Sequence, residues 1–149
     1  MSNEHQTNPD PLSALDLIEQ LDLAPHFEGG WFRETWRAAA EPGARPAGTA
    51  IYYLMTRENP SRLHRIDAAE IWHHYCGAPV EIRLGVESEG EEVFVLGSDL
   101  GSLQVPQVIV PEGTWQSARP LGAFALVGCT VSPAFDPAFF ERADERTIS

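Results

Sequence analysis

Positive charge is scarce in this chain of 149 residues: ten basic residues stand against 22 acidic ones, giving a formal net charge of −12. The basic residues are scattered from Arg33 to Arg146 and form no run. Nucleic-acid backbones are bound by clustered Lys and Arg, so the composition argues against a DNA or RNA partner. An anionic membrane surface is disfavoured for the same reason. Long apolar runs are missing too, and none approaches the roughly eighteen residues that a membrane-spanning helix needs. The opening MSNEHQTNPDP is polar and has no apolar centre of a secretory signal. A cytoplasmic protein is therefore expected. The two cysteines, Cys76 and Cys129, lie far apart and match no zinc spacing. They read as small core hydrophobes and not as a disulfide. There is no internal repeat, heptad or linker. With 43% hydrophobic and 21% charged residues, the chain reads as one globular domain over 12–149 behind a flexible tail of 1–11.

What is present is a succession of short, turn-punctuated segments. Ser13 is placed to cap a helix running to about Leu23, with Leu12, Leu15, Ile18 and Leu21 to Leu23 near helical period, and Pro25 stops it. The Gly29-Gly30 pair allows a tight turn into a strand over Trp31–Trp36. After a loop rich in Ala, Pro and Gly comes Thr49–Thr56. Further strands are expected at Arg62–Ile66, Glu70–Cys76, Val80–Val86, Glu92–Gly97, Gln107–Val110, Thr114–Ala118 and Ala123–Val131. The acidic stretch Glu87–Glu92 between two of them reads as a solvated hairpin tip. Many short strands at this spacing imply an all-β sandwich or barrel. A short helix is expected over 136–145, capped by Asp136 with Pro137 in its first turn.

Titratable groups concentrate in Ser61–Gly77, which holds three of the five histidines. If Glu70–Cys76 is a strand, its side chains alternate. Glu70, Trp72 and His74 then share one face, and Ile71, His73 and Tyr75 the other. Glu70 and His73 cannot meet at one ion without a bulge.

The spacing of His64, Glu70 and Gly77 resembles the second half of the first cupin motif, and Pro111-Glu-Gly-Thr-Trp-Gln116 resembles the heart of the second. The entry His26-Phe-Glu-Gly-Gly-Trp-Phe-Arg-Glu-Thr35 and the close Ala125-Leu-Val-Gly-Cys-Thr-Val-Ser-Pro133 are similar to one family in particular, the fifth-type cupin domain of unknown function. The resemblance spans about 12–143. It implies an antiparallel double-stranded β-helix, the cupin jelly roll, similar in fold to sugar epimerases, with a pocket around His64, Glu70 and Gln116.

The departures shape the functional reading. Metal-holding cupins use two histidines and a glutamate from the first motif and a histidine from the second. Here the second histidine position is Ile66, the last is Gln116, and the opening glycine of the second motif falls at Val105. An amide oxygen is a poor transition-metal ligand. No cofactor is therefore expected; a divalent transition metal on His64, Glu70 and Gln116 is the weaker reading. Without it, His64 and Glu70 are the candidate catalytic pair, the imidazole as acid or base with the carboxylate orienting it. Tyr52, Tyr53 and Tyr75 are candidates for a further partner.

Gln116, Trp72, His74, Arg33, Trp31 and Trp115 are candidate ligand contacts. The tryptophans could wall a sugar or a flat acid or be plain core. Arg33 suits a carboxylate or phosphate, or an ion pair with Glu34 or a partner subunit. The expected function is binding of a small, sugar-derived molecule or small organic acid, with metal-independent isomerase or epimerase chemistry. A metal-dependent oxygenase or isomerase and a non-catalytic binding module remain the alternatives. A homodimer is expected, because the Trp31–Trp36 strand and the Ile71/Tyr75 face need cover.

Overall fold

The structure is a computed structural model that describes residues 12–143. The tail expected over 1–11 and the last two residues of the helix expected over 136–145 lie outside the described residues. Helix α1 spans Ala14–Gln20, and Ser13 caps it in a reciprocal box with Asp16: the Ser13 hydroxyl accepts from Asp16 N, and Asp16 accepts from Ser13 N. The helix stops earlier than its apolar pattern suggests, because Asp22 turns to a positive φ of 53°.

Eleven strands follow: β1 Ala24–Pro25, β2 Trp31–Arg37, β3 Thr49–Thr56, β4 Ser61–Arg65, β5 Ala69–Gly77, β6 Val80–Val86, β7 Gly90–Leu96, β8 Gln107–Val110, β9 Gln116–Pro120, β10 Phe124–Ser132 and β11 Glu141–Arg142. They form two antiparallel sheets, ordered β1-β2-β3-β10-β5-β8 and β11-β4-β9-β6-β7. Tyr53, Met55, Trp72, Val127 and Cys129 of the first sheet pack against Val80, Ile82, Leu96 and Ala118 of the second. This is the expected jelly roll, with Cys129 in its core; Cys76 is exposed, and both thiols are free.

Helix α1 covers one end of the outer face of the first sheet, where Leu17 and Leu23 meet Leu54 and Leu126 with Trp31 and Tyr52 alongside. The other end of that face is open. A row of Cα partners crosses five strands there, running Trp36, Ala50, Thr130, Ile71 and Ile109.

Two local features depart from the sequence pattern. Between β10 and β5 the register slips, so that Leu126 faces Cys76 but Val127 faces His74. Tyr75 is left over as the extra residue of a bulge, with its ring lying over Gly128. At the C-terminus the expected helix is not formed. Asp136 does cap, accepting from Ala138 N at 2.9 Å, but only a single 3-10 turn, Pro137–Phe139, results. Phe140 then packs beside Phe27, Phe135 and the His64 ring, and Glu141–Arg142 joins the edge of β4. Tertiary packing and strand pairing override the local helix signal.

Candidate functional site

One end of the sandwich holds a small cavity, with about 40 Å³ of free space inside an envelope of about 420 Å³ that includes its open mouth. Its polar lining is His26, Glu28, Thr49, His64 and Glu70. Phe32, Ile51, Ile66 and Val131 line its apolar wall, and Phe135 and Phe140 add two further rings to it. The C-terminal segment is pinned at several points: Phe135 N donates to Thr49 Oγ1 at 3.0 Å, and Arg45, salt-bridged to Asp67, donates to Ala134 O at 2.9 Å.

His64 and Gln116 are Cα partners on β4 and β9, side by side on the inner face. Glu70 comes from β5 in the opposite sheet. Gln116 is fully buried and spans the gap: its Nε2 donates to Glu70 Oε1 at 2.8 Å, and its Oε1 accepts from Trp72 Nε1 at 2.9 Å. The three residues expected at the pocket are thus brought together, but Gln116 stands behind Glu70 as a brace and does not line the cavity.

The partner of His64 is a residue that the sequence reading did not single out. Glu28 Oε2 lies 2.9 Å from His64 Nε2, with both side chains buried. The other ring nitrogen, Nδ1, faces Arg62 O at 2.7 Å. A carbonyl can only accept, so Nδ1 carries a proton, and Nε2 is turned to a carboxylate. Glu28, and not Glu70, therefore orients His64. Glu28 is aimed inward by the Gly29-Gly30 turn. Gly29 (φ +111°) and Gly30 (φ +75°) pass so close to Pro60 O and Leu54 O that a Cβ would come within 2.1 and 2.6 Å of them. His26 completes the turn by accepting from Glu28 N on Nδ1 at 3.1 Å. The available signal was a carboxylate inside the apolar entry motif, next to the glycine pair that the sequence reading treated only as a turn.

The electrostatics follow from burial and these pairings. Burial opposes charge on His64, yet the neighbouring Glu28 carboxylate outweighs it and raises the imidazole to about 9. Burial likewise works against the Glu28 carboxylate, but the His64 charge holds its pKa below the usual value. Glu70 has no such counter-ion. Burial, reinforced by the Glu28 charge, raises it to about 7, only partly offset by His64 and by the Gln116 hydrogen bond. Burial lowers His26, which sits in the cavity as a neutral donor–acceptor.

The remaining candidates lie elsewhere. Trp72 is core, and Trp115 packs under the Arg65 guanidinium at 4.6 Å. Trp31 packs with helix α1 outside the barrel. The aromatic side of the cavity is made instead by Phe32, Phe135 and Phe140. Arg33 sits 5.5 Å from the centre of the Tyr52 ring, on the outer face; Glu34 pairs with Arg37 at 2.8 Å and not with Arg33. His74 is at the far end of β5, its Nε2 3.0 Å from Ala78 O in the β5–β6 turn. His73 meets Thr130 and Gln107 on the outer face. Of the three tyrosines only Tyr53 points inward, where it donates to Gly29 O and holds the turn that carries Glu28. Tyr52 and Tyr75 pair edge to face outside.

These residues do not fit a cupin metal. Both His64 nitrogens are committed as donors, both polar ends of Gln116 are engaged, and Ile66 presents a hydrocarbon to the cavity where a histidine would be needed. Among the described residues, no group of three or more His, Cys, Asp or Glu side chains is arranged to hold an ion.

The two facing sheets, with a cavity at one end between β4, β5 and the entry turn, define a cupin. Comparison with known proteins makes this specific. The chain belongs to the family described as Cupin superfamily (DUF985), which matches residues 15–143. It is similar to the crystal structure of protein SO0799 from Shewanella oneidensis, at 33% identity over 89% of this chain and 85% of that one, with a TM-score of 0.83. A hypothetical protein from Leishmania major aligns at 30% identity over 87% and 86% of the two chains, with a TM-score of 0.79. The uncharacterized protein YML079W of Saccharomyces cerevisiae is 28% identical over 86% of this chain and 74% of its own length. No helix among the described residues is long and apolar enough to cross a membrane.

Proposed function

We propose that this cupin binds a small molecule in the end cavity and performs metal-independent acid–base chemistry of isomerase or epimerase type on it. The reading rests on Glu70, a buried carboxylate with one oxygen braced by Gln116 and the other without a hydrogen-bond partner among the described residues. A carboxyl raised to about 7 exchanges protons at neutral pH, and the Nε2 proton that His64 shares with Glu28 stands in the same cavity. Glu70 takes or gives the substrate proton, and His64 stabilises the charge that develops. Of the two expected ligand classes, the sugar-derived one is favoured, because an organic acid would meet two carboxylates.

A panel of keto and aldo sugars, screened for exchange of solvent deuterium into the substrate, tests this reading. His64→Ala and Glu70→Gln should each cost about 10²-fold or more in turnover. Full activity in either variant removes its role. A compound that raises the melting temperature with no exchange makes the protein a non-catalytic binding module. A stoichiometric transition metal that survives dialysis reinstates the metal-dependent alternative.

The same reading includes a homodimer. The Trp36–Ile109 row leaves Trp36 at 56% and Ile109 at 63% exposure on an open sheet face, and a two-fold axis through such a face would let one row cover the other.

A further inference from the structure

We infer that the ligand enters this cavity as a compact organic cation, a protonated or quaternary amine whose positive charge pairs with the open oxygen of Glu70. The inference deepens the small-molecule reading above and rests on it. Two carboxylates, Glu28 and Glu70, face the space, and no Arg or Lys side chain does. The chain contains no lysine at all. The arginines near the rim are occupied elsewhere: Arg45 by Asp67 at 2.7 and 2.8 Å, Arg37 by Glu34 and Phe135 O, and Arg65 by Glu141 at 2.8 Å.

The one cation in the cavity, His64, is spent on Glu28. Glu70 receives only the neutral amide of Gln116 on Oε1. A buried carboxylate without a counter-ion is among the costliest groups a fold can hold. An anionic ligand would add to that cost, because Coulomb repulsion is weakly screened at such a depth. A neutral polyol could donate to Oε2 but would leave the charge in place. A cation removes it. The apolar lining suits the same guest, since Phe32, Phe135 and Phe140 bring three aromatic rings to the cavity and ring faces attract ammonium groups.

The experiment compares ligands of one shape and different charge by calorimetry and thermal shift on the full chain. One series is glucosamine, glucose and glucuronate; the other is choline and its neutral isostere 3,3-dimethylbutan-1-ol. In at least one series the cation should bind tenfold or more tighter than its neutral counterpart, with glucuronate the weakest sugar. Glu70→Gln should bring the cation down to the affinity of the neutral analogue. Should that variant not fold, the wild type still decides: cation affinity should rise between pH 5.5 and 8, while neutral affinity stays flat. The charged and titratable groups around Glu70 are Glu28, His64, His26 and Cys129; Glu28 stays ionised and Cys129 neutral across that range. Equal or tighter binding of a neutral or anionic member overturns the inference and leaves the small-molecule reading standing. If no member of any charge binds, both fall.

Discussion

Gln116 reaches across from one sheet to the other to donate its amide to Glu70 at 2.8 Å, while the Trp72 indole donates to the same amide from the other side at 2.9 Å. The amide thereby sets which Glu70 oxygen is satisfied and which is left to the cavity. Replacing Gln116 by Leu should leave a buried carboxylate and a buried indole N–H without partners. A loss of about 2–4 kcal/mol is expected in urea unfolding, with Gln116→Glu failing to rescue it because it sets a second acid against Glu70.

The Glu28–His64 pair makes a separate prediction. The Glu28 charge keeps the imidazole protonated against the pull of burial, up to about 9. Glu28→Gln keeps the shape and removes the charge. Titration of the His64 ring protons by NMR should then move down from about 9, since only the Glu70 charge and the Arg62 carbonyl would still oppose desolvation. An unchanged midpoint would mean that Glu70, and not Glu28, holds the proton in place.

Glu70 gives stability a recognisable pH profile. Its pKa rises from 4.5 when unfolded to about 7 in the fold. A raised pKa means that the folded state binds the extra proton, so this contribution is complete below pH 4.5 and is lost as pH rises through 7. His64, raised to about 9, acts in the same sense at higher pH, whereas the lowered Glu28 and His26 act oppositely, gaining stability as pH rises. The wild type minus Glu70→Gln difference isolates the carboxyl. It should decline by up to about 3 kcal/mol between pH 4.5 and 7 and be flat above.

Much of this arrangement is legible in the residues, and the rest is not for definite reasons. Strand alternation places Glu70 and Trp72 together on the inner face, and motif spacing brings His64 and Gln116 beside them. Glu28 escapes because its partner is 36 positions away in the chain, and nothing local shows that the glycine turn folds back under β4. His74 is misplaced because alternation gives a face but not a depth: it shares the face of Glu70 yet ends at the other end of the strand, against Ala78. The terminal helix fails for a different reason. Asp136 and Pro137 start a turn as their chemistry dictates, but Phe140 and the open edge of β4 offer more than another helical turn would.

The turn that delivers Glu28 can be tested apart from the charge it carries. At Gly29 the backbone has φ +111°, and an added Cβ would lie 2.1 Å from the backbone oxygen of Pro60, which cannot swing away. Gly29→Ala should destabilise the protein by about 2 kcal/mol or more, from left-handed strain and the clash together. By contrast, Gly43→Ala meets nothing within 4 Å and bears only the strain of its own positive φ of +81°, so its cost should stay near 1 kcal/mol. If the two substitutions cost the same, the packing of the entry turn on Pro60 is not what fixes Glu28.

The open face of the first sheet supplies the last prediction. Trp36 and Ile109 stand at the two ends of a row that crosses five strands, with Ile71 between them and only Ala50 and Thr130 as smaller neighbours. A two-fold rotation would set one such row against its copy, and its residues lie on the sheet side opposite the cavity, so disrupting it leaves the ligand site alone. Sedimentation equilibrium should give twice the mass of the 16.4 kDa chain. A charge at the far end of the row, Ile109→Asp, should return the protein to monomer with its fold intact by circular dichroism, because Ile109 is 63% exposed within one chain. A wild-type monomer, or a dimer indifferent to Ile109→Asp, would place the contact elsewhere or remove it.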